Sequence, residues 1–456
     1  MAVWSEINYS KSVSVGRIDA EYYQPEIMAI EEHLNEIDSI PLGELGKIIC
    51  SAFYPAAVDL YEEGNVPFLR CVDIINHPVI TKEQKFAQIP IDFIKNNKSI
   101  RCLNPGDIII SKVGTPCFTS LLDESMPSSA LSRTVLGLKN IDTTIVDPRY
   151  LVVFLRSTIG FNQLMREREL TIQYQLTLER TRNIKVFLPP MTEQKTIGDI
   201  LTSYSKKLHE SNDLFTEAEG IFYNNLNIKT NNKHQLFYQN SFQDVVRNNR
   251  IDAEFYQPKY LKSIQYLTKN KYEKLGDIAY LRKGHQSRES EGDTLYASIK
   301  DVENYLVDTI DKTITTERTV FAEPNDVVLA ITGATIGKTG VNATQNKIAI
   351  SGDLVLIRSK KIPSYYLLVV FYSKIFQSLC QRYTTGATNG HLSISEINNF
   401  PIPIIDEDSI NLISSKINKA ILLREESNKH LEKAKDSVEK IIYQTRYGNA
   451  GTRRNN

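Results

Sequence analysis

What this chain lacks narrows its chemistry first. No apolar run approaches membrane-spanning length, and the opening MAVWSEINYSKS has no apolar signal region, so a soluble cytoplasmic protein without a membrane partner is expected. The five cysteines (Cys50, Cys71, Cys102, Cys117, Cys380) show no CxxC or Cys/His ligand spacing, which points to reduced thiols rather than a zinc or disulfide framework. The seven histidines are dispersed and form no HExxH pattern, so no metal site is expected. A surplus of either charge is also missing: 54 Lys+Arg face 54 Asp+Glu. A nucleic-acid binder usually carries a basic excess, so any attraction for phosphate has to be local here.

Two enzyme motifs are approached and missed. Gly333-Ala334-Thr335-Ile336-Gly337-Lys338-Thr339 has three residues between its glycines where a phosphate-binding P-loop has four. Val341 to Thr344 then favour strand or turn over the helix such a loop requires. Leu188-Pro189-Pro190-Met191 has the two prolines of an amino-methyltransferase site. It has neither the polar acceptor before them nor the aromatic ring after them that base chemistry needs.

What the chain does have is written twice. Arg17–Pro25 reads RIDAEYYQP and Arg250–Pro258 reads RIDAEFYQP, at an offset of 233. Leu42-Gly43 and Leu275-Gly276 keep that offset. Later landmarks recur at smaller offsets: Pro105–Ile109 with Pro324–Val328, each a turn into a buried strand, and Tyr150–Val153 with Tyr366–Val369, each a buried helix.

Each copy ends in a heptad pattern. Ile197, Leu201, Tyr204, Leu208, Phe215, Ala218, Phe222 and Leu226 form one seam, with Ser211 in its gap. Adding 216 gives Ile413, Ile417, Ala420, Arg424, Ser427, Leu431, Ala434, Val438 and Ile442. A helix over 192–226 would be roughly 50 Å long at about 1.5 Å per residue. Neither helix can bury its seam alone, so an antiparallel coiled coil of the two is expected, the alternative being that each helix packs on its own globular domain.

The predicted fold is mixed α/β: two pseudo-repeated α/β domains joined by a pair of long antiparallel helices. The boundaries read 1–190 and 250–405 for the repeated domains, 191–228 and 406–446 for the helices, 229–249 for a polar connector, and 447–456 for a disordered tail.

This organisation resembles the specificity (S) subunits of type I restriction–modification systems. Leu188–Lys195 (LPPMTEQK) is similar to that family's entry into its central helix. Thr385–Leu392 (TGATNGHL) resembles a motif near the end of its target recognition domains. Phe68-Leu69-Arg70 with Asp73-Ile74 resembles one near their start. The second helix entry, Ile404–Ser409, departs from the pattern, and the first copy offers Thr171–Gln175 in place of the glycine-rich motif.

The resemblance implies a non-catalytic chain. Each recognition domain would read one half of a split duplex DNA target, and the helices would set the spacing between halves. DNA methyltransferase (M) subunits and restriction/translocase (R) subunits would dock as partners. They would bring S-adenosylmethionine, ATP and magnesium; no cofactor is expected in this chain.

Base reading needs side chains of fixed donor and acceptor geometry, with cations on phosphates. The candidates in the first copy are Arg70, Ser111, Lys112 and Thr115. In the second they are Arg282, Lys283, His285, Gln286 and Arg288 in a presumed loop 281–288, Thr335 and Lys338 in the glycine-rich turn, and Thr388, Asn389 and His391 in the second glycine-rich stretch. Solvated loops, plain hairpin turns and, for Arg70, a structural ion pair are the alternative readings. Two other functions stay open on sequence alone: an autonomous ATPase or nuclease using Gly333–Thr339, and a coiled-coil scaffold that binds no DNA.

Overall fold

The computed structural model describes residues 5–52, 64–75, 77–113, 117–170, 174–228, 238–287, 292–303, 305–307, 313–314, 319–386 and 390–452. The chain divides into two compact units, Met1–Lys207 with Glu426–Asn456, and Leu208–Glu425.

In the first unit a five-stranded sheet runs in the order 47–50, 135–139, 108–111, 119–122, 79–80. Its central members, Ile108–Ser111 and Val135–Lys139, are almost wholly buried. A four-stranded sheet follows the order 87–89, 66–69, 129–131, 102–103. In the second unit the equivalent sheets run 279–283, 354–359, 327–330, 339–341, 305–307, extended by 302–303, and 313–314, 294–297, 348–350, 321–322. The register repeats as well as the order. Phe68 pairs with Ala130 and Leu69 with Leu131 in parallel, as Tyr296 pairs with Ala349 and Ala297 with Ile350.

The repeated segment RIDAExYQP has a mechanical reason to stay constant. Arg17 donates Nε and Nη2 to the two Asp19 oxygens at 2.6 and 2.7 Å, and Arg250 does the same to Asp252 at 2.6 and 2.8 Å. The Tyr22 ring lies between two guanidinium groups, Arg17 at 4.7 Å and Arg166 at 4.0 Å. Phe255 lies between Arg250 at 4.7 Å and Arg382 at 4.0 Å. Arg166 Nε donates to the Tyr22 carbonyl and Arg382 Nε to the Phe255 carbonyl, both at 3.0 Å. The motif thus fastens the start of each repeat to the helix that precedes its last variable loop (Thr158–Arg166 and Lys374–Tyr383).

The repeat also extends upstream of the identical segment. The short helices Tyr9–Val15 and Phe242–Asn248 have side-chain N-caps, Asn8 and Ser241, that are 233 residues apart. Their C-caps, Gly16 and Asn249, are both left-handed, with φ of 68° and 50°. The second of these helices lies inside the stretch expected to be a polar connector, whose residues 229–237 fall outside those described.

The first long helix spans Met191–Asn225 and the second Glu407–Thr452. Both run unbroken through the residues at which the chain divides into units. Within the first unit Ser427 donates its hydroxyl to the Tyr204 carbonyl at 2.9 Å, and Lys207 pairs with Glu426. Within the second, Ser211 donates to the Ala420 carbonyl at 2.7 Å, Lys419 pairs with Glu210 at 3.0 Å and Lys416 pairs with Glu217. The two hydroxyl bonds join residues that match at the 216 offset. Partners descend along one helix as they ascend along the other, so the helices run antiparallel in each unit. The seam positions are buried, except that Leu208 and Leu431 are half-buried.

Helical backbone continues to Thr452, where a disordered tail from 447 was expected; residues 453–456 lie outside those described. A lone glycine such as Gly448 costs a helix only about 1 kcal/mol and does not end it. Nor is each repeated domain a unit by itself, because each compact unit takes part of both helices. Among the described residues, no helix is long and apolar enough to cross a membrane.

Gln194 explains the sequence LPPMTEQK. Its buried side chain accepts from the Asp147 amide at 2.9 Å and donates to the carbonyls of Pro189 at 2.9 Å and Ile145 at 3.2 Å. The matching position of the second copy is the buried apolar Ile410, which has no such bonds to make. Gln194→Ala orphans these buried groups and is expected to cost the first unit about 2–4 kcal/mol, read as a lower melting temperature, while Ile410→Val costs about 1.

The Arg–Asp pairs also set a pH response. Hydrogen bonds from Arg17 and Arg250 hold the Asp19 and Asp252 carboxyls below the usual carboxylate range. A carboxyl whose folded pKa is depressed stabilises the fold above its unfolded pKa and loses that contribution as pH falls through the folded value. Asp19→Asn with Asp252→Asn is therefore expected to flatten the fall in melting temperature between about pH 5 and pH 2.

Candidate nucleic-acid interface

At one end of the second unit's main sheet, four chain segments meet. The strand Ala279–Lys283 ends where Gly284 N donates to the Leu354 carbonyl and His285 N to the Ile350 carbonyl, both at 2.9 Å. A side chain at Gly284 would run into the Ser351 carbonyl oxygen, 2.2 Å from the Cβ position, so glycine is required there. The turn after strand 327–330 is joined to the neighbouring segment by Ile331 N to the Asp353 carbonyl at 3.0 Å and Thr332 Oγ1 to Asp353 Oδ1 at 2.9 Å. The last glycine-rich stretch closes the rim. Gly333 N donates to the Gly390 carbonyl and Leu392 N to the Ile331 carbonyl, both at 2.9 Å, and Thr385 and His391 exchange backbone hydrogen bonds.

The structure therefore brings His285 and Gln286, Thr335 and Lys338, and His391 onto one rim. His285, Gln286 and Thr335 are exposed, while Lys338 and His391 are half-buried. Arg282 and Lys283 are exposed too, but they lie on a strand and not in a loop, which corrects the expectation for 281–288. Backbone pairing to the buried strand Leu354–Ser359 decides this, with Arg282 opposite Leu356 and Lys283 opposite Val355. An edge strand keeps one side in water and tolerates such charges. Arg288, Thr388 and Asn389 lie outside the described residues.

The glycine-rich turn is a single 3-10 turn, Gly333–Thr335, followed by the strand Thr339–Val341. A phosphate-binding P-loop opens a helix, and no helix begins here.

The first unit repeats the rim with different side chains. Leu176 N donates to the Lys112 carbonyl at 3.0 Å, the bond that Leu392 and Ile331 make in the second unit. Val113 pairs with Gln175 as Thr332 pairs with His391. Gln175 thus holds the place of His391, although no glycine-rich motif marks it in the sequence.

Lys112 Nζ approaches Cys50 Sγ at 3.7 Å, and its amide donates to the Thr134 carbonyl at 2.9 Å. Arg70 is clamped by Asp73: its amide donates to Oδ2 at 2.7 Å and its Nη2 to Oδ1 at 3.2 Å. Arg70 keeps contact with water, its side chain 37% exposed, while the Asp73 side chain is 7% exposed. Ser298 and Asp301 make the equivalent turn in the second unit, with Ser298 N donating to Asp301 Oδ2 at 2.8 Å.

Ser111 is not available to a base. It is fully buried in its strand, and its hydroxyl accepts from the Phe118 amide at 2.9 Å. The apolar strand context Ile108-Ile109-Ile110 carried it inward. Thr115 lies outside the described residues. Sequence reasoning missed Arg133, exposed in the turn between Ser132 and Thr134, and Arg168, half-buried just before the Gln175 segment. A basic residue in the turn between two buried strands, as in Leu131-Ser132-Arg133-Thr134-Val135, was the available signal for the first.

Residues 35–214 match the family model described as the type I restriction modification DNA specificity domain. The second unit repeats that unit's strand order, register and anchoring motif. Residues 35–214 therefore carry a type I restriction–modification specificity domain. The chain is also similar to the crystal structure of a type I restriction–modification S subunit from M. genitalium, at 11% identity, covering 89% of this chain and 94% of that one, with a TM-score of 0.38. It is similar to the HsdS subunit from Thermoanaerobacter tengcongensis, at 14% identity, covering 89% and 95%, with a TM-score of 0.29. The assignment rests on the family match and the internal repeat, not on these two likenesses. Among the described residues, no cluster of His, Cys, Asp and Glu is placed to hold a metal ion.

The exposed cations of the rim give a direct expectation. Arg282→Ala and Lys283→Ala should each weaken DNA binding and lower the slope of log affinity against log salt by about 1 if each contacts one phosphate. Substituting Lys347, which bonds Glu323 at 3.5 Å, serves as the cation control and should leave the slope unchanged.

Proposed function

We propose that this chain is the non-catalytic subunit that gives a type I restriction–modification complex its DNA sequence. Each unit reads one half of a split duplex target through the rim at the end of its main sheet. Methyltransferase subunits supply S-adenosylmethionine chemistry on adenine, and restriction subunits supply ATP- and magnesium-dependent translocation and cleavage, all in the cytoplasm. The observation that carries this reading is the contrast between frame and rim. Backbone pairing and the Arg–aromatic–Arg stacks are the same in both units, while the rim side chains differ: Lys112, Arg133 and Gln175 in one, Ile331, Gly352 and His391 in the other. Two readers of different half-sites need that contrast. The unbroken backbone of both long helices supports their role as the spacer between halves.

The partner side of the proposal is supported by apolar residues that both copies leave in water. Tyr9 and Phe242 are 82% and 78% exposed, Val13 and Val246 60% and 64%, and Ile18 and Ile251 both 91%. All three pairs share the 233 offset. Exposed apolar groups kept at matched positions fit one kind of protein partner bound once by each unit. Combined Tyr9→Ser, Val13→Ser and Ile18→Ser should remove one methyltransferase subunit from the complex by native mass spectrometry and leave the other bound.

The function itself is tested by supplying the chain together with methyltransferase subunits and S-adenosylmethionine and mapping methylated adenines. The expected product is a target with two specified halves and a fixed unspecified gap, with no methylation when the chain is omitted. A single uninterrupted target, or methylation at the same sites without the chain, would contradict it.

A further inference from the structure

A cleft of about 240 Å³ in the first unit is built on the repeated motif. Its constant part comes from Arg17, Glu21 and Gln24 of that motif and from Arg166. All four have identical counterparts in the second copy, Arg250, Glu254, Gln257 and Arg382. The rest of its lining does not repeat, and Arg168 and Tyr174 are its polar members beside Asn162. Arg168 and Tyr174 correspond to Thr384 and Gly390 at the 216 offset fixed by Arg166 and Arg382. The two positions adjoin in both units. The Arg168 guanidinium lies 4.3 Å over the Tyr174 ring. In the second unit a Cβ on Gly390 would meet Thr384 Cγ2 at 2.7 Å. A constant frame therefore presents an arginine on an aromatic ring in one unit and small, uncharged groups in the other.

The arginine is held for use. Its Nε donates to the Met165 carbonyl at 2.8 Å, and its own carbonyl accepts from Arg17 Nη1 at 2.8 Å, which fixes the backbone and the near end of the side chain. The Tyr174 hydroxyl donates to Glu21, 3.0 Å from each carboxylate oxygen, which fixes the ring beneath it. Among the described residues no carboxylate is paired with Arg168, whereas Arg17 and Arg166 are paired with Asp19 and Glu31. Glu169-Leu170, next to Arg168, pair with Tyr174-Gln175, and the bridge from Gln175 to Val113 brings this hairpin to the rim. A guanidinium held over a ring, its far edge without a carboxylate partner among the described residues, matches two acceptors lying side by side, as guanine O6 and N7 do in the major groove.

We propose that Arg168, oriented by Tyr174, reads a guanine in the half-site addressed by the first unit, a role Thr384 and Gly390 cannot take in the second. This rests on the function proposed above.

The test compares wild type, Arg168→Ala, Arg168→Lys and Tyr174→Ala, each in complex with methyltransferase subunits, by selection from duplexes randomised at both half-sites. Arg168→Ala and Arg168→Lys should both lose discrimination at one G·C pair of one half-site by roughly ten- to a hundredfold, with Tyr174→Ala shifting the same pair less. The other half-site should stay as selective as in wild type, which shows that the variants are folded. Unchanged selection would overturn the inference. So would a lysine variant that selects like wild type, because a phosphate contact survives that change and a bidentate guanine contact does not. A wild-type complex with no sequence selection at all would instead overturn the proposed function, and this inference with it.

Discussion

An aromatic ring clamped between two guanidinium groups is the interaction on which each unit depends. Tyr22 and Phe255 occupy the same place between Arg17 and Arg166 and between Arg250 and Arg382. Each stacking contact contributes about 0.5–2 kcal/mol, more when shielded from water. The geometric effect matters more than the energy. The clamp ties the start of a repeat to the helix from which its last variable loop departs. It therefore sets where that loop begins, whatever residues the loop contains.

A fixed departure point lets the rim diverge without loss of the fold. Leu176 and Leu392 return to their sheets through the same backbone bond, although the loops before them share almost no side chains. The same tolerance appears where a buried group has to satisfy carbonyls. Arg156 in the first unit and Tyr372 in the second both donate to the carbonyl of the matching threonine, Thr119 or Thr339. Different chemistry meets the same backbone demand, so the scaffold survives while the surface changes. Specificity can then vary in one unit without reshaping the other.

Much of the scaffold could be read from sequence because repetition and periodicity report backbone demands directly. The RIDAExYQP repeat, the buried runs at Ile108 and Val327, and the two seams 216 residues apart each correspond to a buried surface or a hydrogen-bonded charge pair. The rim was harder to read. Arg282 and Lys283 look like loop residues because an edge strand has water on one side, and a charged sequence does not distinguish the two. Ser111 looks like a contact residue until its strand neighbours are seen to carry it inward. The equivalence of Gln175 and His391 lies in backbone bonds that no side-chain pattern records. Arg168 stood in no motif, and its importance depends on Tyr174 and Glu21 being brought to it by the fold.

The central claim is that each unit addresses its own half of a split target. It is tested most directly by a chain in which the second recognition domain is replaced by a second copy of the first, joined at the conserved motif and at the entry to the second long helix. Assembled with methyltransferase subunits and used to select duplexes from a random library, it should recover a target whose two halves are inverted repeats of one wild-type half. Recovery of the original asymmetric target would contradict the account.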